Sequence, residues 1–284
     1  MTQIDSYSGN SEIAYAKINL ALHVRERLIS GYHDIETVFA FLDNGDIVSV
    51  QPGEGINLSI TGPFANGLSD TDNLIMDAAH LLASQSDRKL DANLVLEKHL
   101  PIASGIGGGS ADAAAALRLL NRFWKFDLSI SELAQLSAPL GADVPACVHS
   151  QTCLGKGSGQ DIRYLDSTAL KKYVALLVNP LIPIATASVF RDWDGIDRGA
   201  LVGNTPMEMA LSGRNDLQLP AESHAPVIRD ILMRLNETNP VVARMSGSGA
   251  TCFALYESLG AAHSANDTMN SKLEKIWTMI GGIK

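Results

Sequence analysis

The stretch Pro101-Ile-Ala-Ser-Gly105-Ile-Gly107-Gly108-Gly109-Ser110 carries four glycines within ten residues. Glycine lacks a Cβ and takes positive φ at little cost, so several backbone N–H groups can converge on one concavity. The run Ala111–Trp124 follows and reads as a helix, with Ser110 placed to cap it. A helix start adds unpaired N–H groups and the positive end of the helix dipole. The combination predicts an anion site, best suited to the phosphates of a nucleotide. It is not a Walker A loop, because no Gly-Lys-Ser/Thr follows the glycines. It is not a dinucleotide fingerprint either, since Gly105-x-Gly107 meets Ser110 where a third glycine belongs. A glycine-rich turn that merely caps a helix is the competing reading.

Four other segments place reactive side chains in unusual company. Lys17 and Asn19 lie on one face of the strand-like Ala14-Tyr-Ala-Lys-Ile-Asn-Leu20, opposite Ala16, Ile18 and Leu20. By itself this segment favours an edge-strand lysine that reaches solvent. Asp143 sits among small and apolar residues in Leu140-Gly-Ala-Asp-Val-Pro-Ala-Cys147. It reads equally as a cap for the helix that Pro145 would start, or as a carboxylate that accepts a hydroxyl proton. Arg244-Met-Ser-Gly-Ser-Gly-Ala-Thr-Cys-Phe253 is a second small-residue loop, read first as a turn between strands. Gly247 and Gly249 would also allow close approach to a ligand. In Gly31-Tyr32-His33-Asp34 the bland reading is a turn with a surface histidine. The alternative is Tyr32 stacking on a flat ring while His33 reads a base edge.

The elements that must position these groups alternate irregularly. Strands are expected over Glu12–Val24, Ile35–Leu42, Asp46–Gln51, Ile56–Thr61 and Ala92–Lys98, with an Asn44-Gly45 turn between the second and third. Helices are expected over Asn73–Ser84, Ala111–Trp124 and Ile130–Leu140, with Ser129 and Ser131 as candidate caps for the last. In the second half, Tyr173–Val178, Val241–Met245 and Thr251–Tyr256 read as strands. Val227–Asn236 and Met269–Ile280 read as helices. Residues 1–10 are polar and expected to be loose. Strands and helices mix without a strict βαβ rhythm, which predicts an α+β fold.

Composition sets the outer bounds. The 284 residues suit one large domain or two intimate ones, and 46% hydrophobic residues fill a sizeable core. A net charge of −9 argues against a general nucleic-acid surface. An anionic substrate must therefore be held by a local positive site. Cys147, Cys153 and Cys252 lack metal-ligand spacing and read as buried free thiols in a reducing compartment. No apolar run is long enough to span a membrane and no signal-peptide pattern opens the chain, so a soluble cytoplasmic protein is expected.

Taken in order, these segments resemble the GHMP kinase superfamily, which includes galactokinase, homoserine kinase and mevalonate kinase. The resemblance rests on Ala16-Lys-Ile-Asn-Leu20, Gly31-Tyr-His33, Asp72-Asn-Leu74, Gly107-Gly-Gly-Ser-Ala-Asp-Ala-Ala114, Leu140-Gly-Ala-Asp-Val-Pro145 and the Ser246-Gly-Ser-Gly-Ala-Thr251 loop. It covers about Ala14 to Phe253 and is greatest to the branch acting on a cytidine diphosphate sugar-alcohol. It implies an α+β, two-lobed GHMP kinase fold, with an N-terminal ATP-binding domain over 1–160 and a C-terminal domain over 161–284. It implies ATP and Mg²⁺ as cofactors, a small-molecule acceptor, no nucleic-acid or membrane partner, and a monomer or weak homodimer. By position, Lys17 and Asp143 become the catalytic pair. Asn73, Lys98, Pro101, Gly105, Gly107, Gly108, Gly109 and Ser110 fall on the ATP side. Asn19, Tyr32, His33 and Phe190 fall on the acceptor side, where the aromatic residues and the histidine would sandwich and read a cytosine.

Overall fold

The computed structural model describes residues 9–284, so the expectation for residues 1–8 lies outside the described residues. The first half runs β1 (Ser11–Arg27), β2 (His33–Gln51), β3 (Ile56–Thr61), α1 (Leu74–Ala83), β4 (Ala92–Glu97), α2 (Gly108–Phe123), α3 (Ile130–Ser137) and α4 (Val144–His149). The second half runs β5 (Cys153–Gly157), β6 (Asp161–Tyr164), β7 (Val174–Asn179), α5 (Thr186–Arg191), α6 (Pro206–Ser212), α7 (Gln218–His224) and α8 (Val227–Glu237). It finishes with β8 (Val242–Met245), β9 (Cys252–Tyr256), α9 (Leu259–Lys272) and β10 (Trp277–Gly282). Strands and helices are mixed without regular alternation, as the α+β expectation requires.

Two compact units divide this order, and each draws on separated stretches of chain. Of the described residues, the first comprises 9–16, Gly45–Leu100 and Gly108–His149. The second comprises Lys17–Asn44, Pro101–Gly107 and Ser150 onwards. In the first unit β3 pairs parallel with β4, and β4 pairs antiparallel with the Ile47–Gln51 half of β2. Helix α1 starts where Asn73 accepts the Ile75 N–H through its side chain. Helix α3 starts on a capping box, with Ser129 and Glu132 bonding reciprocally. Helix α2 is an alanine-rich rod buried along most of its length, which suits a helix packed on several sides.

In the second unit the Ile35–Phe39 half of β2 pairs with β5, and β5 with β6. A separate four-stranded antiparallel sheet has the order β10-β7-β9-β8. Its core gathers Leu22, Val24, Leu176, Val178, Trp193, Ile228, Ile231, Ala254 and Tyr256. The described cysteines are buried free thiols. Among the described residues no helix is long and apolar enough to cross a membrane.

Four local expectations are corrected. Asn44-Gly45 makes no turn, and β2 runs unbroken through both predicted strands. Gly45 serves instead for close approach: a Cβ there would lie 1.9 Å from the Ala14 carbonyl oxygen of β1. Helix α2 begins at Gly108, so Ser110 sits inside its first turn and not at the cap. Met269–Ile280 is not one helix; α9 ends at Lys272 and Trp277–Gly282 is a strand paired with β7. Lys17 does not reach solvent at a sheet edge, because it is only 4% exposed.

Candidate active site

The second unit ties the Lys17 strand to both glycine loops. The Lys17 N–H donates to the Ile106 carbonyl at 3.1 Å. The Asn19 N–H donates to Ser246 Oγ at 3.1 Å, and that hydroxyl donates to the Gly105 carbonyl at 2.9 Å. Ser246 is thus a pin between β1 and the two loops. Asn19 Nδ2 donates to Thr37 Oγ1 at 2.7 Å, which turns its Oδ1 towards the Lys17 ammonium at 3.3 Å. The ammonium also lies 4.5 Å from the centroid of the Phe39 ring. A buried cation needs such partners, and an amide oxygen with an aromatic face supplies part of them.

The loops approach so closely that side chains are excluded. A Cβ on Gly105 would lie 2.5 Å from the Ser246 carbonyl oxygen, and one on Gly247 would lie 2.8 Å from the Gly105 carbonyl oxygen. A Cβ on Gly107 would press on Lys17 Cε at 3.0 Å. Gly105 and Gly107 both have positive φ, at +76° and +66°. Pro101 is buried, and its carbonyl accepts the Ser104 hydroxyl at 2.7 Å. Below the second loop, Asn215 donates to the Met245 and Gly247 carbonyls, both at 2.8 Å. Arg244 is bound by the carbonyls of Leu20, Ala210 and Gly213, and burial pulls its pKa down to about 10.

The first unit holds the remaining nucleotide-side residues. Asn73 is half-buried at the start of α1, and its Nδ2 donates to the Ser69 carbonyl at 3.0 Å. Gly108, Gly109 and Ser110 form the first turn of α2, whose N–H groups have no helical carbonyl to bond. The Lys98 ammonium is buried between Asp46 Oδ2 and Asp112 Oδ2, each at 2.6 Å. Asp143 is half-buried immediately ahead of α4, and its carbonyl accepts the Cys147 N–H at 3.1 Å. Arg118 of α2 fixes that short helix by donating to the Cys147 and Val148 carbonyls at 2.8 and 3.2 Å. Asp143 is therefore mounted on a helix that α2 anchors directly.

A third cluster, again in the second unit, surrounds His33. The Phe190 ring lies 5.0 Å away, tilted by 39°, and the Trp193 ring lies 5.8 Å away, edge-on. His33 Nε2 is buried without a hydrogen-bond partner. Burial first, and then the Arg27 charge, lower the His33 pKa and favour the neutral ring. Arg27 itself donates to the Arg191 and Trp193 carbonyls, both at 2.6 Å, at the end of α5. Tyr32 is exposed. A neutral imidazole offers one donor and one acceptor, the pattern that reads the edge of a base.

Each expected residue therefore has a defined setting. Lys17 and Asn19 are brought together with Gly105 and Gly107, and His33 with Phe190. Sequence reasoning did not single out Ser246, Trp193, Arg27, Asp46 or Asp112. Asp112 had a readable signal, as a carboxylate inside an alanine run that must be buried.

Comparison with known proteins bears directly on this arrangement. The model of the GHMP kinases N terminal domain matches residues 73–151, and that of the GHMP kinases C terminal matches residues 206–275. The 4-diphosphocytidyl-2-C-methyl-D-erythritol kinase of Sphingopyxis alaskensis is 46% identical, with 96% of this chain and 98% of that protein covered. This chain belongs to the GHMP kinase family. The kinase of the same name from Rhizorhabdus wittichii is 45% identical over 96% of this GHMP kinase and 94% of its own length. A crystal structure of 4-(cytidine 5'-diphospho)-2C-methyl-D-erythritol kinase superposes with a TM-score of 0.76 at 27% identity, covering 96% of this chain and 99% of the other. Homoserine kinase from Cytophaga hutchinsonii shares the fold at 14% identity, with a TM-score of 0.72 over 100% of this GHMP kinase and 98% of the other chain.

Proposed function

We propose that this GHMP kinase transfers the γ-phosphoryl group of ATP to the 2-hydroxyl of 4-diphosphocytidyl-2-C-methyl-D-erythritol, a step of the non-mevalonate isoprenoid route. The observation that carries the reading is the 46% identity, over 96% of the chain, to a kinase named for that substrate. The His33–Phe190–Trp193 cluster supports it, because a base reader has no use with homoserine or mevalonate. His33, its sequence neighbour Tyr32, and Phe190 take the cytosine; Asn19 completes the acceptor side.

The nucleotide lies with its phosphates on Gly105, Gly107, Gly108, Gly109 and Ser110, with Asn73, Lys98 and Pro101 shaping the site. Mg²⁺ enters as the counter-ion of ATP. That ion usually keeps phosphate and water ligands and needs no all-protein cage. Phosphoryl transfer is largely positioning plus neutralisation of spread charge. Asp143 orients the acceptor hydroxyl and takes its proton as the new P–O bond forms. Lys17 balances charge on the phosphoryl group in flight. The first turn of α2 stabilises the oxygens of the departing ADP. The enzyme acts in the cytoplasm on a small molecule, as a monomer or weak homodimer.

The test is ADP release from Mg-ATP with the cytidylylated acceptor, beside homoserine and mevalonate. Turnover with the first alone is expected. Asp143→Ala and Lys17→Ala should each lower kcat by orders of magnitude while ATP still binds. Turnover confined to another acceptor, or near-normal kcat in both variants, overturns the assignment.

A further inference from the structure

The glycine loop leaves the first unit after β4 and returns to it at α2, and one buried lysine touches both ends. At the exit from β4, Asp46 Oδ1 accepts the backbone N–H groups of His99 at 2.6 Å and Leu100 at 2.8 Å. Asp46 Oδ2 accepts the Lys98 ammonium at 2.6 Å. At the return, Asp112 in the second turn of α2 accepts the same ammonium at 2.6 Å. Gly108 comes so near that a Cβ would lie 3.1 Å from Lys98 Nζ. The three side chains are 3%, 0% and 5% exposed for Lys98, Asp46 and Asp112.

A buried ionic triad is a poor way to gain stability, because apolar residues of similar volume do as well or better. Its geometry is the more informative property. Between the clamped ends lie seven residues, Pro101–Gly107, with two glycines at positive φ. Such a segment has high conformational entropy unless its ends are fixed. We infer that Asp46, Lys98 and Asp112 form a clamp across the stem of the glycine loop, and that they are positioning residues which pre-organise the loop and the start of α2 for nucleotide phosphates. The inference rests on the kinase reading for its ligand.

The charge balance fits this role. Two ionised carboxylates against one ammonium would leave net negative charge beside an anion site. Burial pushes the Asp112 carboxyl up to about 8, towards its neutral form, which lowers the negative charge of the triad. Asp112 Oδ1, the oxygen of that carboxyl that does not meet Lys98, is buried without a hydrogen-bond partner, a setting that disfavours the ionised form. Lys98 then serves the nucleotide by fixing the loop, with its ammonium already occupied by two carboxyl groups.

The experiment measures binding of Mg-ATP to the full chain by titration calorimetry at pH 7, then steady-state kinetics, for wild type, Asp112→Ala, Asp112→Asn and Asp46→Asn. Asp112→Ala should raise the Kd and KM for ATP about tenfold, with kcat and the acceptor KM changed less than about twofold. Asp112→Asn keeps an oxygen for Lys98 and should restore ATP affinity to within about threefold of wild type. Should Asp112→Ala fail to fold, Asp46→Asn gives the reading, since its amide meets the ammonium and should produce the same selective loss. Wild-type ATP affinity in the variants overturns the clamp alone, and so does an equal rise in both KM values. A wild-type chain that binds no ATP overturns the kinase reading, and the phosphate role of the clamp with it.

Discussion

Replacing Gly105 by alanine tests how closely the two glycine loops approach. Two costs combine. At φ +76° an L-residue sits in the left-handed region, which costs about 1–2 kcal/mol. The new Cβ would also lie 2.5 Å from the Ser246 carbonyl oxygen and 2.7 Å from that of Gly249, and neither is a flexible side-chain end. Overpacking of this kind costs roughly 1–3 kcal/mol. The total is about 2–5 kcal/mol, and each kcal/mol moves the Tm of a chain this long by roughly 2–4 °C. Gly67 supplies the control. Its φ is +89° and nothing lies within 4 Å of its Cβ position, so Gly67→Ala carries the backbone cost alone. Scanning calorimetry should show a Tm loss of roughly 2–8 °C for Gly67→Ala and, in the same experiment, a larger one of roughly 4–20 °C for Gly105→Ala. Equal losses would refute the contact between the loops. In Gly105→Ala the Ser246 pin is also displaced, so ATP affinity should fall together with stability.

Three further outcomes follow from the same structure. His33→Ala should raise the KM for the cytidylylated acceptor by tenfold or more on the order of one lost polar contact, leaving the KM for ATP unchanged in the same assay. Because burial raises the Asp112 pKa, the native chain binds more protons than the unfolded chain between about pH 4 and pH 8. Stability from this group is therefore full in acid and is lost as pH rises through its folded pKa; urea midpoints should fall more steeply with pH in wild type than in Asp112→Asn. Burial also raises the Cys252 thiol, and all three cysteines are buried, so a thiol reagent should modify none until the chain is unfolded in concentrated guanidinium.

Much of the site was legible because glycine spacing is local chemistry. The Pro101–Ser110 loop, the strand that feeds it and the helix that follows were all readable from residue type and order. The misreadings occurred where tertiary contact decides. Asp43-Asn-Gly-Asp46 has the composition of a turn, yet Gly45 is needed for the approach to Ala14 and Asp46 for the Lys98 ammonium. In Met269–Ile280 apolar residues are spaced ambiguously, and the open edge of β7 draws the second part into a strand. Lys17 looked like an edge lysine because the Phe39 ring and the Asn19 amide that receive it become neighbours only on folding. Trp193 gave no sequence signal, since its meeting with His33 depends on the turn after α5.

The interleaving of the two units has a consequence for synthesis. Leu22, Val24 and Ile35 belong to a core completed by Leu176, Ile228 and Ala254. On the ribosome those early residues emerge well before their partners. The stretch Lys17–Asn44 waits while roughly a hundred residues are added before Ser150 appears, an interval of about 5–20 s at typical elongation rates. Meanwhile Gly45–Leu100 and Gly108–His149 have all emerged and can begin to pack. The nascent chain therefore passes through a stage with one unit forming and a hydrophobic strand pair still exposed. That stage, more than the finished molecule, is where holding chaperones have something to bind.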